Sequence, residues 1–147
     1  MNLKVKKLNP AATIPTRAHT GDRGLDLYLL EELSIPPCGV GTGHTGIAIE
    51  MPHGWGGQVA DRSSVALCNV KVAGGVIDNA YRGELQVILH NNDKDLWFHT
   101  DVGEKIAQLC LEPLFEGGVE EVTSLSLTER GTRGFGSSDV KEVSGAR

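Results

Sequence analysis

The sequence has few cysteines, no excess of basic residues and no long apolar run, and each absence excludes a class of protein. The three cysteines among 147 residues, Cys38, Cys68 and Cys110, are odd in number and widely spaced. We therefore expect neither a disulfide framework nor a zinc knuckle, and this usage indicates a reducing compartment. The net charge of −5 argues against a general nucleic-acid binder, which would present a basic face.

Membrane and secretion signals are also missing from the sequence. No run of about 18 apolar residues occurs, and the N-terminal lysines are not followed by an apolar stretch. We expect a protein of the cell interior, whether cytoplasmic, nuclear or inside a host cell. What the sequence does have is glycine, 19 of 147 residues, against an average usage of about 7%. The chain length fits one domain with frequent turns.

Short segments of alternating polarity separated by turn residues predict an all-β sandwich. The segments expected to form strands are residues 3–8, 25–30, 46–51, 69–73, 84–90, 96–99 and 105–112. Residues 34–40 are predicted to be a turn, and residues 119–128 either a strand or an irregular crossing. One short helix is predicted after Ser63 and Ser64, which are expected to supply its N-cap and first turn.

The stretch GGVIDNAYRG at residues 74–83, followed by the apolar run at residues 84–89, predicts a β-hairpin that carries chemistry. Its glycines bracket a carboxylate, Asp78, and an aromatic ring, Tyr81. The ordinary explanation is a tight turn in which Asp78 bonds its own backbone. Other stretches of the chain weaken that explanation because they also combine phosphate-seeking groups with small residues.

Four residues in those stretches each have a functional and an ordinary explanation. Asp26 lies within an apolar strand, where a charge must be paired, bound to a cation or placed at an edge. Arg62 precedes a helix start that suits a phosphate oxygen, and the ordinary explanation of the serines is simple capping. Gln108 needs a hydrogen-bond partner, either a ligand or backbone. Phe135 stacks on a flat ligand or docks on the protein itself.

Five motifs, in this order and at compatible spacing, make the chain similar to the trimeric deoxyuridine triphosphatase (dUTPase) family. They are LDL at residues 25–27 with the preceding Gly24, GQVADRSSVAL at 57–67, GVIDNAYRG at 75–83, GEKIAQL at 103–109 and RGTRGFGSS at 130–138. The resemblance implies a distorted jelly-roll or β-clip sandwich that forms a homotrimer with shared active sites. Residues 1–129 would form the β domain, and residues 130–147 an arm closing over a neighbouring site.

The resemblance also implies hydrolysis of dUTP to dUMP and pyrophosphate with Mg²⁺, which limits uracil in DNA and supplies dUMP for thymidylate synthesis. Asp78 would activate the attacking water, and Asp26 would reach the metal through coordinated water. Tyr81 would pack under the deoxyribose and exclude a 2′-hydroxyl. The substrate-binding residues implied are Arg62, Ser63, Ser64, Gly75, Val76, Tyr81, Gln86, Gln108, Arg130, Phe135, Gly136, Ser137 and Ser138.

Two alternatives follow from the same residues. A deaminase of dCTP shares the fold and the Arg-Ser-Ser stretch but needs a glutamate in the strand after the third motif, where this chain has Ile88. A non-catalytic nucleotide-binding or regulatory module would need no water-activating base, and the presence of Asp78 argues against it.

Overall fold

Short antiparallel strands make up almost all of the regular structure. The computed structural model describes residues 2–134. Its elements are β1 (Lys4–Lys7), β2 (Leu25–Tyr28), β3 (Leu33–Ile35), β4 (Val40–His44), β5 (Ile47–Glu50), β6 (Trp55–Asp61), α1 (Ser63–Leu67), β7 (Val70–Ala73), β8 (Val76–Ile77), β9 (Gln86–Asn91), β10 (Phe98–Thr100) and β11 (Lys105–Pro113). None of the helical residues described here forms a segment long and apolar enough to span a bilayer.

Two sheets and two strand pairs arrange these elements. The larger sheet has the order β2-β11-β6-β8, the smaller has the order β4-β9-β7, and β1-β5 and β3-β10 form separate pairs. One hydrophobic cluster takes buried side chains from both sheets, including Leu27 and Leu109 from the larger and Val87 and Leu89 from the smaller. Each such side chain contributes about 1.5–3 kcal/mol when fully buried. The predicted all-β sandwich is confirmed.

The strand predictions are confirmed in all seven segments, but four strands are missed. β4 has the sequence VGTGH, and β6 begins with WGG. Glycine has no side chain and therefore adds nothing to an alternating pattern of polarity. A strand that needs glycine because a neighbouring element packs closely against it gives no such pattern in the sequence. At Gly43 in β4, an added Cβ would stand only 2.6 Å from Ile106 Cδ1. The close packing that requires glycine there also removes the sequence signal.

Two local predictions need correction. The helix α1 forms where expected, but its N-cap is Arg62 and no side chain makes a capping hydrogen bond. Ser63 and Ser64 belong to its first turn, so the serine cap is wrong. The turn predicted at residues 34–40 is also too long, because Ser34 pairs with His99 between β3 and β10 and Val40 begins β4. In both cases a contact with a distant strand overrides the local sequence preference, since Arg62 pairs with Asp26 and Ser34 pairs with His99.

The chain divides into two compact units, Met1–Glu116 and Gly117–Arg147. All the strands and the helix belong to the first unit. In the second, residues 117–134 contain neither helix nor strand, so residues 119–128 are irregular. The domain boundary expected between residues 129 and 130 stays a prediction.

Candidate active site

The larger sheet brings together three stretches that are far apart in sequence. Asp26 on β2 lies directly opposite Gln108 on β11, and Gln108 in turn pairs with Ala60 on β6. Arg62 and Ser63 follow β6 immediately. Antiparallel pairing therefore places residues of the first, second and fourth motifs at one end of the sheet.

Asp26 is a buried carboxylate held between two cations. It is 8% exposed, Arg62 Nε lies 3.0 Å from its Oδ1, and Lys105 Nζ lies 2.7 Å from its Oδ2. The hydrogen bond that Lys105 donates to Asp26 raises the pKa of the Lys105 ammonium group. Two positive charges face one negative charge, so the cluster keeps a positive excess that suits an anionic ligand.

Gln108 has its amide committed to backbone, which was one of the two partners expected from the sequence. Its Nε2 donates to the Asp61 carbonyl oxygen at 2.7 Å. The side chain lies over Gly24, where an added Cβ would overlap Oε1 and stand 2.8 Å from Cδ. Gly24 is therefore required by the packing of Gln108, and this explains the glycine that precedes the first motif.

A cavity of about 270 Å³, which we call the Asp26 cavity, opens onto these groups. It is lined by Ala18, Asp22, Arg23, Gly24, Asp26, Arg62, Ser63 and Gln108. Ser64 is not among the lining residues. Lys105 was not singled out from the sequence as a site residue. Only its register opposite Tyr28, across the β2–β11 pair, puts its ammonium group on Asp26.

The predicted hairpin around Asp78 is present, with a wide connection in place of a tight turn. Its arms are β7 and β9, which pair antiparallel from Val70 opposite Asn91 to Ala73 opposite Ile88. The connection, residues 74–85, contributes β8 to the other sheet through pairing with β6. Gly74 opens the connection with φ +59°, a conformation that favours glycine.

Gly75 allows the connection to lie against β6. Its carbonyl accepts a hydrogen bond from Val59 N at 2.7 Å. A Cβ at this position would overlap the Val59 carbonyl oxygen and stand 2.7 Å from Gln58 Nε2. The close backbone approach holds β8 at the edge of the larger sheet, immediately before Asp78. The Asp78 side chain itself is exposed.

A second cavity, which we call the Asp78 cavity, has a volume of about 180 Å³. It is lined by Val76, Ile77, Asp78, Tyr81, Glu84, Gln86 and Ile88. Four predicted site residues meet here, Val76, Asp78, Tyr81 and Gln86, whereas Gly75 does not reach the lining. The Tyr81 hydroxyl donates to the Glu84 carbonyl oxygen at 3.0 Å, and its ring lies where a Cβ on Gly83 would be. The hydroxyl end of the Tyr81 ring is thus held in place.

Glu84 connects this cavity to β4 and was not singled out from the sequence. Its carboxylate accepts from His44 Nδ1 at 2.9 Å, from Gly46 N at 2.8 Å and from Gln86 Nε2 at 3.1 Å. Burial alone would raise the pKa of Glu84, but these hydrogen bonds outweigh it and the pKa is lowered. The hydrogen bond to Glu84 raises the pKa of His44. The hydrogen-bonded His44–Glu84 pair therefore joins β4 to the chain immediately before β9, which begins at Gln86.

The two cavities share no lining residue. The first contains Arg62, Ser63, Gln108 and Asp26, and the second contains Val76, Tyr81 and Gln86, which are expected to bind a nucleoside. Arg130 belongs to the second unit, where its Nε donates to the Arg133 carbonyl oxygen at 3.3 Å. Phe135, Gly136, Ser137 and Ser138 lie outside the described residues.

No group of three metal-ligating side chains occurs within residues 2–134. Asp26 offers one carboxylate, whose two oxygens accept from Arg62 and Lys105. A carboxylate has about four lone-pair sites, so two remain for other donors. The residues therefore fit a Mg²⁺ ion that keeps its waters and touches the protein through one of them, with other ligands from a phosphate chain.

The fold and these cavities define an all-β sandwich with two separate clefts, one that holds arginines and aspartates and one that holds Asp78 and an aromatic ring. A model of the dUTPase family matches residues 10–139, and the chain belongs to that family. A deoxyuridine 5'-triphosphate nucleotidohydrolase of Clostridioides difficile is 48% identical over 139 residues, covering 92% of this chain and 96% of the relative. One of Alkaliphilus metalliredigens is 43% identical over 95% of this chain and 99% of its own.

A solved structure of the same family supports the fold. The Staphylococcus bacteriophage 80alpha dUTPase with dUPNHPP superimposes with a TM-score of 0.88 at 28% identity, covering 95% of this chain and 99% of that chain.

Proposed function

We propose that this protein hydrolyses dUTP to dUMP and pyrophosphate by attack of water on the α-phosphorus. The reaction would limit uracil incorporation into DNA and supply dUMP for thymidylate synthesis. Membership of the dUTPase family supports the activity, as does 48% identity to a relative named for it. The observation that carries the residue assignment is the exposed Asp78 carboxylate at the edge of a small cavity that has an aromatic wall.

Asp78 acts as the general base in this proposal. An ionised carboxylate accepts a proton from water when the two are within hydrogen-bond reach. Val76, Tyr81 and Gln86 line the same cavity as Asp78, together with Ile77, Glu84 and Ile88. The backbone of Gly75 and Val76, with the opposing strand near Gln86, reads the edge of uracil. Tyr81 packs against the deoxyribose and disfavours a ribose by steric exclusion.

The Asp26 cavity receives the phosphate chain. Arg62, Ser63, Ser64 and Gln108 hold phosphate oxygens, and the positive excess around Asp26 supports this role. Asp26 would hold Mg²⁺ through coordinated water, and the ion would supply charge neutralisation to the phosphate chain. Arg130 holds the terminal phosphates, Phe135 stacks on uracil, and Gly136, Ser137 and Ser138 surround the γ-phosphate.

We further propose a homotrimer with active sites between subunits. One nucleoside triphosphate needs both a base pocket and a phosphate pocket, and the two cavities of one chain share no lining residue. Pairing the Asp78 cavity of one subunit with the Asp26 cavity of another would complete the site. The arm formed by residues 130–147 would then close over a neighbouring subunit's site.

The deaminase alternative has no supporting observation. Ile88 lines the Asp78 cavity at the position where a proton-shuttling glutamate would be needed. An isoleucine side chain transfers no proton.

The test is pyrophosphate release with Mg²⁺ from dUTP, UTP and dCTP. We expect release from dUTP alone. Asp78→Ala should abolish turnover while dUTP still binds, because the carboxylate is proposed to act on water and not on the nucleotide. Asp101→Ala is the matched control, since Asp101 is also an exposed loop aspartate. Normal turnover in Asp78→Ala would disprove the assigned base, and equal hydrolysis of UTP would disprove the role of Tyr81.

A further inference from the structure

Asn79, the residue after Asp78, ties its loop to the turn that precedes β6. Its side-chain Nδ2 donates to the Trp55 carbonyl oxygen at 2.7 Å and to that of Pro52 at 2.9 Å. A third carbonyl, that of Met51, lies at 3.4 Å. An amide group has two N–H donors, so both donors of this side chain are committed to the backbone of the turn before β6 and of its first residue, Trp55.

Asp78 is thereby bracketed by two fixed neighbours. On one side Ile77 pairs with Gly57 in the β6–β8 ladder. On the other side Asn79 is attached to the turn at the start of the same strand, β6. The carboxylate between them is exposed to solvent, and no hydrogen bond or ion pair within residues 2–134 involves it. Its position is therefore set by its neighbours and not by contacts of its own.

The other side chains of residues 78–82 hydrogen-bond only within the connection, residues 74–85. Arg82 Nη1 donates to the carbonyl oxygens of Asn79 and Tyr81, at 2.5 and 2.9 Å. The Tyr81 hydroxyl donates to Glu84, inside the same connection. Within residues 78–82 of the described chain, only the Asn79 side chain hydrogen-bonds to backbone outside residues 74–85. Loss of its amide would leave the Asp78 side of the loop held only by the β6–β8 pairing that precedes Asp78.

We propose that Asn79 is a positioning residue that fixes the Asp78 carboxylate against β6 in the geometry that proton abstraction from water requires. This proposal rests on the proposed function of Asp78. A displacement of about 1 Å at a reacting group lowers rate by about 10²-fold. Asn79 does not line the Asp78 cavity, so its loss should leave nucleotide binding largely intact.

The experiment compares Asn79→Ala with a matched control, Asn91→Ala. Asn91 Nδ2 likewise donates to three backbone carbonyls, those of Ile35, Pro36 and Leu96, at 3.2, 3.1 and 2.8 Å. It lines neither cavity. Asn91→Ser is a milder replacement that serves if Asn91→Ala does not fold. The measurements are kcat and KM for dUTP, with the thermal unfolding midpoint, at a temperature well below unfolding.

We expect Asn79→Ala to lower kcat by about 10- to 100-fold, with KM changed by less than about threefold. The Asn91 variant should lower the unfolding midpoint and keep kcat within about twofold. A normal kcat in Asn79→Ala would overturn the inference while leaving the proposed function standing. An equal loss of kcat in both variants would also overturn it, because the effect would then be general destabilisation. A wild-type protein that releases no pyrophosphate would overturn the proposed function itself.

Discussion

Asp26 and Gln108 lie directly opposite each other on β2 and β11, and each is held by a different group from the β6 stretch. The Asp26 carboxylate pairs with Arg62, and the Gln108 amide donates to the carbonyl oxygen of Asp61. The consecutive residues Asp61 and Arg62 therefore orient both members of this cross-strand pair. Strand register therefore fixes the first, second and fourth motifs relative to one another, so a change in any one of them affects the others.

Replacing Asp26 with asparagine should destabilise the fold. Arg62 and Lys105 would lose the carboxylate that offsets their charges, while the Asp26 side chain is only 12% exposed. We expect a loss of about 1–3 kcal/mol in the free energy of unfolding, measured by urea denaturation at neutral pH. Glu112→Gln is the control, because it breaks the exposed pair with Arg23 and should cost less than about 1 kcal/mol. Equal effects of the two changes would contradict the prediction.

Alanine at Gly24 should displace Gln108. Its Cβ would overlap Gln108 Oε1, so the amide would have to leave the Asp61 carbonyl or the strands would have to separate. Overpacking of this kind costs about 1–3 kcal/mol, and we expect KM for dUTP to rise. Gly118→Ala is the control, since nothing lies within 4 Å of a Cβ there. Urea denaturation would measure the loss of stability, and steady-state kinetics would measure KM. An unchanged KM would show that Gln108 does not take part in phosphate binding.

The His44–Glu84 pair predicts a defined pH dependence of stability. The pKa of His44 is raised from 6.5 in the folded state, so its contribution is complete below about pH 6.5 and is lost as pH rises through the folded value. The pKa of Glu84 is lowered from 4.5, so its contribution is complete above about pH 4.5 and is lost as pH falls through the folded value. The pair should therefore stabilise most between about pH 4.5 and 6.5.

The measurement is the unfolding midpoint of the wild type and of His44→Gln across pH 4 to 9, a range of about 5 units that extends beyond both edges of the window. The difference in unfolding midpoint between the two proteins should be largest between about pH 4.5 and 6.5 and should shrink at lower and at higher pH. His53→Gln is the control, because His53 is 92% exposed and 3.8 Å from its nearest carboxylate. A pH-independent difference for His44→Gln would contradict the ionic contribution.

Removal of residues 130–147 should abolish most of the activity without unfolding the protein. Every residue of the hydrophobic cluster lies before residue 112, so the unfolding midpoint should stay near that of the full chain. We expect kcat/KM for dUTP to fall by at least about tenfold, since interactions that favour the transition state would be lost. A chain that ends at Ser138 keeps the fifth motif and is the control. Normal turnover by the shorter chain would disprove the arm's role.

Much of the fold could be predicted because its signals are local. Alternation along residues 84–90 gives β9 directly, and its buried residues Val87 and Leu89 follow from the period of two. The strands β4 and β6 could not be predicted in this way, since their glycines carry no alternation. The predicted serine cap is wrong because Arg62 takes the N-cap position, and its side chain pairs with Asp26 on a distant strand.

The sequence by itself determined the order of the motifs, the hairpin that carries Asp78 and the all-β class, because these depend on residues close together in the chain. Only the tertiary structure decided that Lys105 shares Asp26 with Arg62, that Asn79 anchors the Asp78 loop, and that the two cavities are separate. The physical reason is that strand register and sheet order join residues tens of positions apart. No local pattern records which distant backbone a given side chain will meet.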